Sequence, residues 1–219
     1  LAASIVHEVN QPLTAIVATV DATSRWLNRP KPEIAEALDG VADIRRNAMR
    51  AAGIVRALRS LAKQAPAVRT PLQPDDVLRE VLDMVRPEID EHNVTVLTRL
   101  AANSATIEAD RVQLQQVVLN LVNNALDAMA TTPIEQRELV VTSYRERETV
   151  VIGVLDRGAG IADQVRERIF EPFFTTKEYG MGMGLAICRS IVEAHCGTLE
   201  VRARRGGGSE FEIRLPCMI

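Results

Sequence analysis

The chain has 219 residues, of which 47% are hydrophobic and 25% are charged. This composition is typical of a folded globular protein and excludes a chain that is disordered throughout. The 26 basic and 29 acidic residues give a net charge of −3, so no basic excess favours nucleic acid or an anionic membrane as a partner. An aromatic content of 3% also argues against base-stacking surfaces.

The cysteines, Cys188, Cys196 and Cys217, are odd in number and form no close pair. They argue against a disulfide framework or a zinc knuckle and suit a reducing compartment. No uncharged apolar run reaches the roughly 18 residues that a membrane helix needs, so we expect no direct membrane contact. Because the sequence opens at Leu1 inside a helical pattern, we interpret it as a fragment.

Residues 1–64 carry two stripes of apolar residues at three- and four-residue steps, the spacing of amphipathic helices. The prolines of segment 28–32 separate the stripes because they cannot continue a helix. The pattern therefore predicts an antiparallel helical hairpin. Two helices cannot bury both stripes, so we expect a homodimer whose paired hairpins form a four-helix bundle. The alternative is a hairpin that packs on the second half of its own chain.

Residues 65–74 contain three prolines, which is typical of a linker. Beyond them helix and strand patterns alternate, which predicts an α/β sandwich. The predicted helices cover residues 75–91, 110–130 and 185–194. The predicted strands lie around 94–97, 106–108, 139–145 and 149–155, with a final hairpin of 198–203 and 210–215. Asp110 and Gln113 form a capping-box start for the second of these helices, and Gly197 is expected to end the third.

The first chemical motif is His7-Glu8 on the first predicted helix. A neutral imidazole is a competent nucleophile, and Glu8 can accept the proton from one ring nitrogen while the other attacks. Gln11 lies at i+4 from His7, on the same helix face, where its amide can orient a water. Considered alone, this segment is more commonly a solvent-exposed His–Glu pair on a helix that takes no part in catalysis.

The second motif places Asn120 and Asn124 one helical turn apart, so that both amides face the same way. Amide oxygens suit Mg²⁺, which bridges phosphate oxygens. Asp127, at i+3 from Asn124, can line the same pocket. The alternative interpretation is a polar stripe on an amphipathic helix.

The third motif is the segment 156–160, directly after a predicted strand. The Asp156 carboxylate at the strand end can accept a hydrogen bond from an exocyclic amine such as that of adenine. Gly158 and Gly160 allow the backbone to approach a ligand closely. The alternative interpretation is a tight turn.

The fourth motif is the glycine series Gly180, Gly182 and Gly184, followed by Leu185 at the start of a helix. Glycines at a helix N-terminus can cradle phosphates. The preceding segment 170–177 contains phenylalanines that can anchor a lid, and its Lys177 can approach a terminal phosphate. This is not a P-loop, because no Lys-Ser or Lys-Thr follows the last glycine.

In this order and spacing, the motifs resemble the transmitter region of bacterial sensor histidine kinases over nearly the whole chain. The segments 7–13, 120–124, 156–160, 170–174 and 180–184 resemble the H, N, G1, F and G2 boxes respectively. The stretches HEVNQPL, FEPFFTTK and GMGMGL are most similar to the subgroup typified by oxygen-sensing and dicarboxylate-sensing kinases.

The resemblance implies a HisKA-type dimerisation and phosphotransfer domain over residues 1–66 and a catalytic ATP-binding domain over residues 67–219. The second domain would have the Bergerat-type α/β sandwich shared with gyrase, MutL and a heat-shock chaperone. His7 would be autophosphorylated by ATP and would pass the phosphoryl group to an aspartate of a response regulator receiver domain, with phosphatase activity as a further possibility. The fragment would be the cytoplasmic part of a sensor, with or without a membrane anchor.

The resemblance also implies a ligand set. Asp156 would bind adenine, and Asn124 would hold Mg²⁺ with Asn120 nearby. The expected nucleotide-binding residues are Asn120, Asn124, Asp127, Asp156, Gly158, Gly160, Lys177, Gly180, Gly182, Gly184 and Leu185. Two positions depart from the family pattern: Gln11 replaces a common Thr or Asn, and Arg157 replaces a common Asn at a variable turn position.

Two other function classes stay open at this point. One is a plain ATPase of the same superfamily, but those members carry a Glu at the position of Asn120 to activate water, and Asn cannot act as that base. The other is a non-catalytic dimer scaffold with a nucleotide-binding fold. A scaffold of this kind would be expected to lack Asn124, Asp156 or the G2 glycines, but this sequence contains all of them.

Overall fold

The computed structural model of the protein describes residues 2–62, 68–102, 105–177 and 182–218. The chain divides into two compact units. The first contains two long helices together with residues 175–177, and the second contains the remaining helices and all the strands of the described residues. No helix in the described part of the chain is both long and apolar enough to span a bilayer.

The first unit is the predicted helical hairpin, formed by α1 (Ala2–Leu27) and α2 (Ile34–Ala62). The helices approach closely where Gly40 faces Thr23, since a Cβ at Gly40 would lie 2.2 Å from the Thr23 hydroxyl oxygen. The hairpin leaves many of its apolar side chains uncovered, with exposures of 43% to 64%. These exposed residues are Leu13, Val17, Val20, Leu27, Ile34, Leu38 and Val41.

The second unit alternates helices with strands, as predicted. Its helices are α3 (Pro74–Met84), α4 (Arg86–Glu91), α5 (Arg111–Ala128) and α6 (Gly184–Ala194). Its strands are β1 (Thr70–Leu72), β2 (Thr95–Ala101), β3 (Ile107–Ala109), β4 (Glu138–Glu146), β5 (Thr149–Leu155), β6 (Thr198–Ala203) and β7 (Ser209–Pro216). Short 3₁₀ helices cover Ile134–Gln136, Asp163–Val165 and Arg168–Phe170.

The main sheet has the strand order β2-β4-β5-β7-β6, in which β2 and β4 run parallel and all other neighbours are antiparallel. One face of this sheet packs against α3, α5 and α6. Side chains alternate along a strand, so Val150, Ile152 and Val154 of β5 all enter the core between sheet and helices. This arrangement confirms the predicted α/β sandwich and places the end of β5 at the middle of the sheet.

Two predicted boundaries were wrong. The supposed linker 65–74 contains β1, which pairs with β3 and buries Leu72, so this proline-containing segment is partly structural. The single helix predicted over 75–91 is two helices separated at Val85, whose ψ of 7° departs from helix geometry. Pro87 accounts for the break, because it has no N–H to donate and is favoured in the first turn of a new helix.

Helix α5 begins as its capping motif predicts, since the Asp110 carboxylate accepts a hydrogen bond from the Gln113 N–H at 3.1 Å. The end of α6 differs from the prediction. The left-handed residue is Cys196, with a φ of 58°, and not Gly197. Gly197 is needed for space, because a Cβ there would lie 2.3 Å from the Arg214 carbonyl oxygen.

Candidate functional site

Asp156 follows β5 directly and is 2% exposed. Its Oδ1 accepts hydrogen bonds from the N–H groups of Gly158, at 2.7 Å, and Ser209, at 3.3 Å. Its own N–H donates to the Ser209 carbonyl at 2.9 Å. Both side-chain hydrogen bonds end on Oδ1, so among the described residues Oδ2 has no partner and is the oxygen available to a ligand.

Burial raises the pKa of Asp156 above its ordinary value, because desolvation penalises the charged form. The hydrogen bonds from Gly158 and Ser209 and the charge of Arg204 oppose this shift without cancelling it. The carboxylate is therefore incompletely compensated by the protein. A ligand that donates a further hydrogen bond would complete its environment.

The turn that carries Asp156 lies directly against the end of α5. The Ala159 N–H donates to the Ala128 carbonyl at 3.3 Å, and a Cβ on Gly158 would lie 2.5 Å from the same oxygen. Gly160 has a φ of 73°, which only glycine adopts without strain. The glycines predicted to admit a ligand also allow this turn to approach the neighbouring helix.

Asn120 and Asn124 are half-buried on α5, one turn apart as predicted. The Asn120 amide donates to the Cys188 thiol of α6 at 3.6 Å. Its carbonyl oxygen Oδ1 has no partner among the described residues and is thus open to a ligand. Burial raises the pKa of Cys188 to about 12, so this thiol is an inert part of the core.

The donor set fits a magnesium ion that is held mainly by a nucleotide. No cluster of three or more His, Cys, Asp or Glu within the described ranges could hold a metal. A cation here would therefore rely on amide oxygens, phosphate oxygens and water, and Mg²⁺ suits such a site because it keeps several waters and binds substrate phosphates. Asp127 is exposed on the same helix, three residues beyond Asn124.

The start of α6 is open at its N-terminus. Its N-cap residue, Met183, makes no side-chain capping bond, and apart from its chain neighbours and its own helix backbone no described atom lies within 4 Å of a Cβ built on Gly184. The N–H groups of the first turn, which have no acceptor within the helix, are suited to phosphate. Leu185 contributes packing as well, since its side chain lies partly buried against the core.

Gly182 joins this helix start to the preceding aromatic segment. It has a φ of 63°, and a Cβ there would lie 2.4 Å from the carbonyl carbon of Phe173. The Phe173 N–H donates to the Gly182 carbonyl at 3.0 Å. Phe170 and Phe174 pack against the core, and each ring lies under a guanidinium: Arg189 at 5.2 Å and Arg168 at 4.4 Å from the ring centres. The aromatic segment is thus anchored by packing and cation–π contacts.

The remaining predicted site residues lie either in the first unit or outside the described residues. The side chains of His7 and Glu8 and all of Gly180 lie outside the described residues. Gln11 is exposed on α1 of the helical unit. Lys177 is exposed, its N–H accepted by the Thr175 hydroxyl at 3.1 Å, in a segment grouped with that same unit. Their roles remain predictions.

Residues of the β6–β7 turn also position Asp156, and no sequence motif predicted this role for them. Ser209 donates to the carboxylate, and Gly208, with a φ of 94°, lets the turn approach it, since a Cβ there would lie 2.0 Å from the Asp156 carbonyl oxygen. The run of three glycines predicted a turn, but nothing in the sequence indicated which strand end it would meet.

Comparison with known proteins identifies a family for the second unit. The family model described as Histidine kinase-, DNA gyrase B-, and HSP90-like ATPase matches residues 109–219, half of the chain. This range contains Asn120, Asn124, Asp156 and the glycines of both glycine-rich segments.

Curated relatives match almost the whole chain. The C4-dicarboxylate transport sensor protein DctS of Rhodobacter capsulatus is 36% identical over 216 residues, which cover 99% of this chain and 33% of DctS. The sensor protein FixL of Bradyrhizobium diazoefficiens is 37% identical over 224 residues, which cover 99% of this chain and 43% of FixL. The chain spans less than half the length of these relatives. They confirm the predicted resemblance to sensor kinases.

Solved structures agree with these matches. The catalytic domain of histidine kinase ThkA is 32% identical, with a TM-score of 0.62, and covers 68% of this chain and 95% of that chain. ThkA in complex with the response regulator protein TrrA gives a TM-score of 0.77 at 26% identity, covering 99% of this chain and 61% of that chain. The predicted ATP-binding sandwich is confirmed.

Proposed function

We propose, since this chain belongs to the histidine kinase-, DNA gyrase B- and HSP90-like ATPase family, that it acts as a protein histidine kinase. ATP phosphorylates His7, and the phosphoryl group then passes to an aspartate of a response regulator. The observation that carries the proposal is the buried Asp156 carboxylate, whose Oδ1 is held by two backbone N–H groups while Oδ2 is left for a base amine. We assign the reaction to the cytoplasm, where the free thiols of Cys188, Cys196 and Cys217 persist.

In this proposal the second unit binds and orients the nucleotide. Asp156 accepts the adenine amine, the open first turn of α6 binds phosphate, and Lys177 approaches the terminal phosphate. Asn120 and Asn124 hold Mg²⁺, and Mg²⁺ supplies charge neutralisation when it is bound. Phosphoryl transfer depends mainly on such positioning and on the stabilisation of negative charge, so a site without a strong base is sufficient.

The side chain at position 120 favours transfer over hydrolysis. Asn120 donates to a thiol and offers only a neutral carbonyl oxygen, which cannot deprotonate a water. A water near the terminal phosphate would lack a base, whereas His7 brings its own nucleophilic nitrogen with Glu8 as proton acceptor. The plain ATPase alternative is therefore the less favoured function.

We further propose that residues 1–66 form the dimerisation and phosphotransfer domain and residues 67–219 the catalytic domain. The seven exposed apolar residues of α1 and α2 support a homodimer, because a second hairpin would cover them. A response regulator is the proposed phosphoryl acceptor because the ThkA structure contains such a protein.

The deciding experiment is incubation of the chain with γ-labelled ATP and Mg²⁺. We expect a label that is labile in acid and stable in base, which identifies phosphohistidine, and that is lost in His7→Gln. The matched control is His92→Gln, because the His92 ring lies at the end of α4, where its Nδ1 bonds to the Glu88 carbonyl at 2.8 Å. Full labelling of His7→Gln would refute the assignment, and phosphate release without any label would favour the plain ATPase.

The same assay separates the neighbours of His7. Glu8→Ala should slow autophosphorylation by about 10²–10⁴-fold if proton transfer limits the rate. Gln11→Ala should leave that rate within a few fold of the unchanged protein and alter only dephosphorylation of a bound regulator. If Gln11→Ala abolishes autophosphorylation while Glu8→Ala does not, the roles are reversed.

A further inference from the structure

Glu138, the first residue of β4, connects the two segments that flank Asp156. Its Oε1 lies 3.4 Å from Nε of Arg157, the residue next to Asp156, and it also accepts a hydrogen bond from Nη2 of Arg204. The Arg204 side chain is only 11% exposed, so this charge is partly withdrawn from water. One carboxylate thus bridges two guanidinium groups from different parts of the chain.

Both arginines are tied into the β6–β7 turn. Nη1 of Arg157 donates to the Gly206 carbonyl at 3.1 Å, and the backbone N–H of Arg204 donates to the Gly208 carbonyl at 3.1 Å. The next residue along, Ser209, donates to the Asp156 carboxylate. The path from Glu138 to the Asp156 carboxylate therefore consists of ion pairs, hydrogen bonds and the backbone step from Gly208 to Ser209, and it ends on Oδ1, the oxygen opposite the one proposed to bind the base.

Electrostatics explains why the carboxylate is needed. Without it, two positive side chains would face each other beside a partly buried turn, and their repulsion would separate the Asp156 turn from the β6–β7 turn. The pKa of Glu138 is lowered, chiefly by its hydrogen bond from Arg204, which agrees with a carboxylate that stays charged in this place. Arg157 occupies a position that is variable in the family pattern, but in the structure its contacts with Glu138 and Gly206 hold the turn in place.

We propose that Glu138 is a positioning residue of the nucleotide-base subsite: by bridging Arg157 and Arg204 it fixes the orientation of the Asp156 carboxylate and thereby sets the preference for adenine over a 6-oxopurine. The inference rests on the proposed function of Asp156 as acceptor of the base amine. Adenine presents an amine donor to that carboxylate, whereas hypoxanthine presents an oxygen that the carboxylate repels. Base preference is therefore sensitive to where Oδ2 points.

The test measures affinities of the full chain for ADP and IDP by calorimetry, since neither carries a phosphate to transfer to His7. Glu138→Gln keeps the side-chain shape and removes the charge, and we expect the ADP-over-IDP preference to fall about three- to tenfold, the usual coupling within one hydrogen-bond network. Glu80→Gln is the matched control. It also removes a carboxylate that binds an arginine, Arg111, but far from this turn, so the preference should not change.

Two further variants keep the test decisive. Arg157→Gln should lower the ADP-over-IDP preference as Glu138→Gln does, so either variant can serve as the test if the other folds poorly. In an Asp156→Asn background, Glu138→Gln should have no further effect on the preference, a result that a general loss of stability would not produce. If Asp156→Asn loses the preference while Glu138→Gln and Arg157→Gln keep it, the inference is wrong and the proposed function stands. If Asp156→Asn keeps the preference, the proposed base subsite fails, and this inference fails with it.

Discussion

At the scale of single residues, burial and two hydrogen bonds determine the state of the Asp156 carboxylate, which we propose binds the base. Two N–H donors fix Oδ1, and burial leaves the group short of full compensation, so its pKa is raised. Because this pKa is raised, the free energy of unfolding of the ligand-free protein decreases as the pH rises and Asp156 ionises. A ligand that donates a hydrogen bond to the carboxylate would offset part of this decrease.

ATP binding should therefore weaken in acid at a higher pH than an ordinary aspartate would predict. As the pH falls through the raised pKa of Asp156, the carboxylate takes up a proton and stops acting as an acceptor. Asp156→Asn should bind ATP about 1.5–3 kcal/mol more weakly at neutral pH and should lack this component of the pH profile. Calorimetric titration across the acidic range measures both effects. Equal affinities of the two proteins at neutral pH would remove Asp156 from the base subsite.

Gly158 is a second residue whose identity the structure explains. A methyl group there would approach the Ala128 carbonyl oxygen to 2.5 Å, and backbone cannot move aside cheaply. Gly158→Ala should lower the free energy of unfolding by about 1–3 kcal/mol and displace the turn from α5. Urea unfolding provides the measurement. Gly184→Ala is the control for stability, since its methyl group meets no described atom; equal losses in both variants would contradict the steric account.

The sequence predicts the residues proposed to contact the nucleotide better than the residues that hold those side chains in position. Asp156, Asn120 and Asn124 stand out because their spacing and flanking glycines match a chemical task. Ser209 and Glu138 act through contacts between strands that are far apart in the chain. No local pattern marks such a pairing, so their part in the site becomes visible only once the sheet order is known.

At the scale of elements, α6 connects the candidate phosphate site to the beginning of the second unit. Its open N-terminus lies at Gly184, while at its other end His195 donates from Nδ1 to the Ile191 carbonyl and accepts at Nε2 from the Asp110 N–H at 3.0 Å. This pair of bonds assigns the proton to Nδ1. Arg69 donates to the Ala194 carbonyl, which fixes the same helix end.

Asp110 is the residue on which this junction depends. Its carboxylate caps α5 and also accepts a hydrogen bond from the Val68 N–H at 3.2 Å, so this side chain joins α5 to the segment just before β1. Asp110→Ala should reduce the free energy of unfolding by about 1–2 kcal/mol, as the loss of an N-cap does, whereas Asp110→Asn keeps an acceptor and should lose much less. Chemical denaturation of both variants measures this difference. A denaturation midpoint unchanged in Asp110→Ala would show that the cap does not contribute to the free energy of unfolding.

Element prediction succeeded where periodicity was long and also at the short strand β3, but it failed at β1 and at the break between α3 and α4. The helices of the hairpin and α5 were predicted because their apolar residues repeat over several turns. Strand β1 has three residues, one of them Pro71, and forms only because β3 is there to pair with it. A proline-based linker prediction cannot anticipate a partner that arrives 35 residues later in the chain: Leu72 pairs with Ile107.

At the scale of the whole molecule, the exposed apolar residues of the hairpin predict a dimer that depends on them. Leu38 is 64% exposed in the single chain. Leu38→Glu should weaken self-association by roughly 1.5–3 kcal/mol, since a buried leucine contributes about that much and a charge at its place must be desolvated. Sedimentation over a concentration series measures the change, with Glu36→Gln as the surface control. A chain that stays monomeric at high micromolar concentration without any substitution would contradict the bundle.

The parallel pairing of β2 with β4 also has a consequence for folding. The antiparallel hairpins β4–β5 and β6–β7 close over a few residues, whereas Thr95 meets Glu138 only after the chain has passed through β3 and α5. Closing that long loop costs chain entropy before its contacts compensate. We expect β2 to join the sheet late and to be the first strand whose amide protons exchange with solvent. Asp156, at the end of the central strand, would then belong to the segment that opens last, so the proposed base-binding residue would lie in the slowest-exchanging part of the fold.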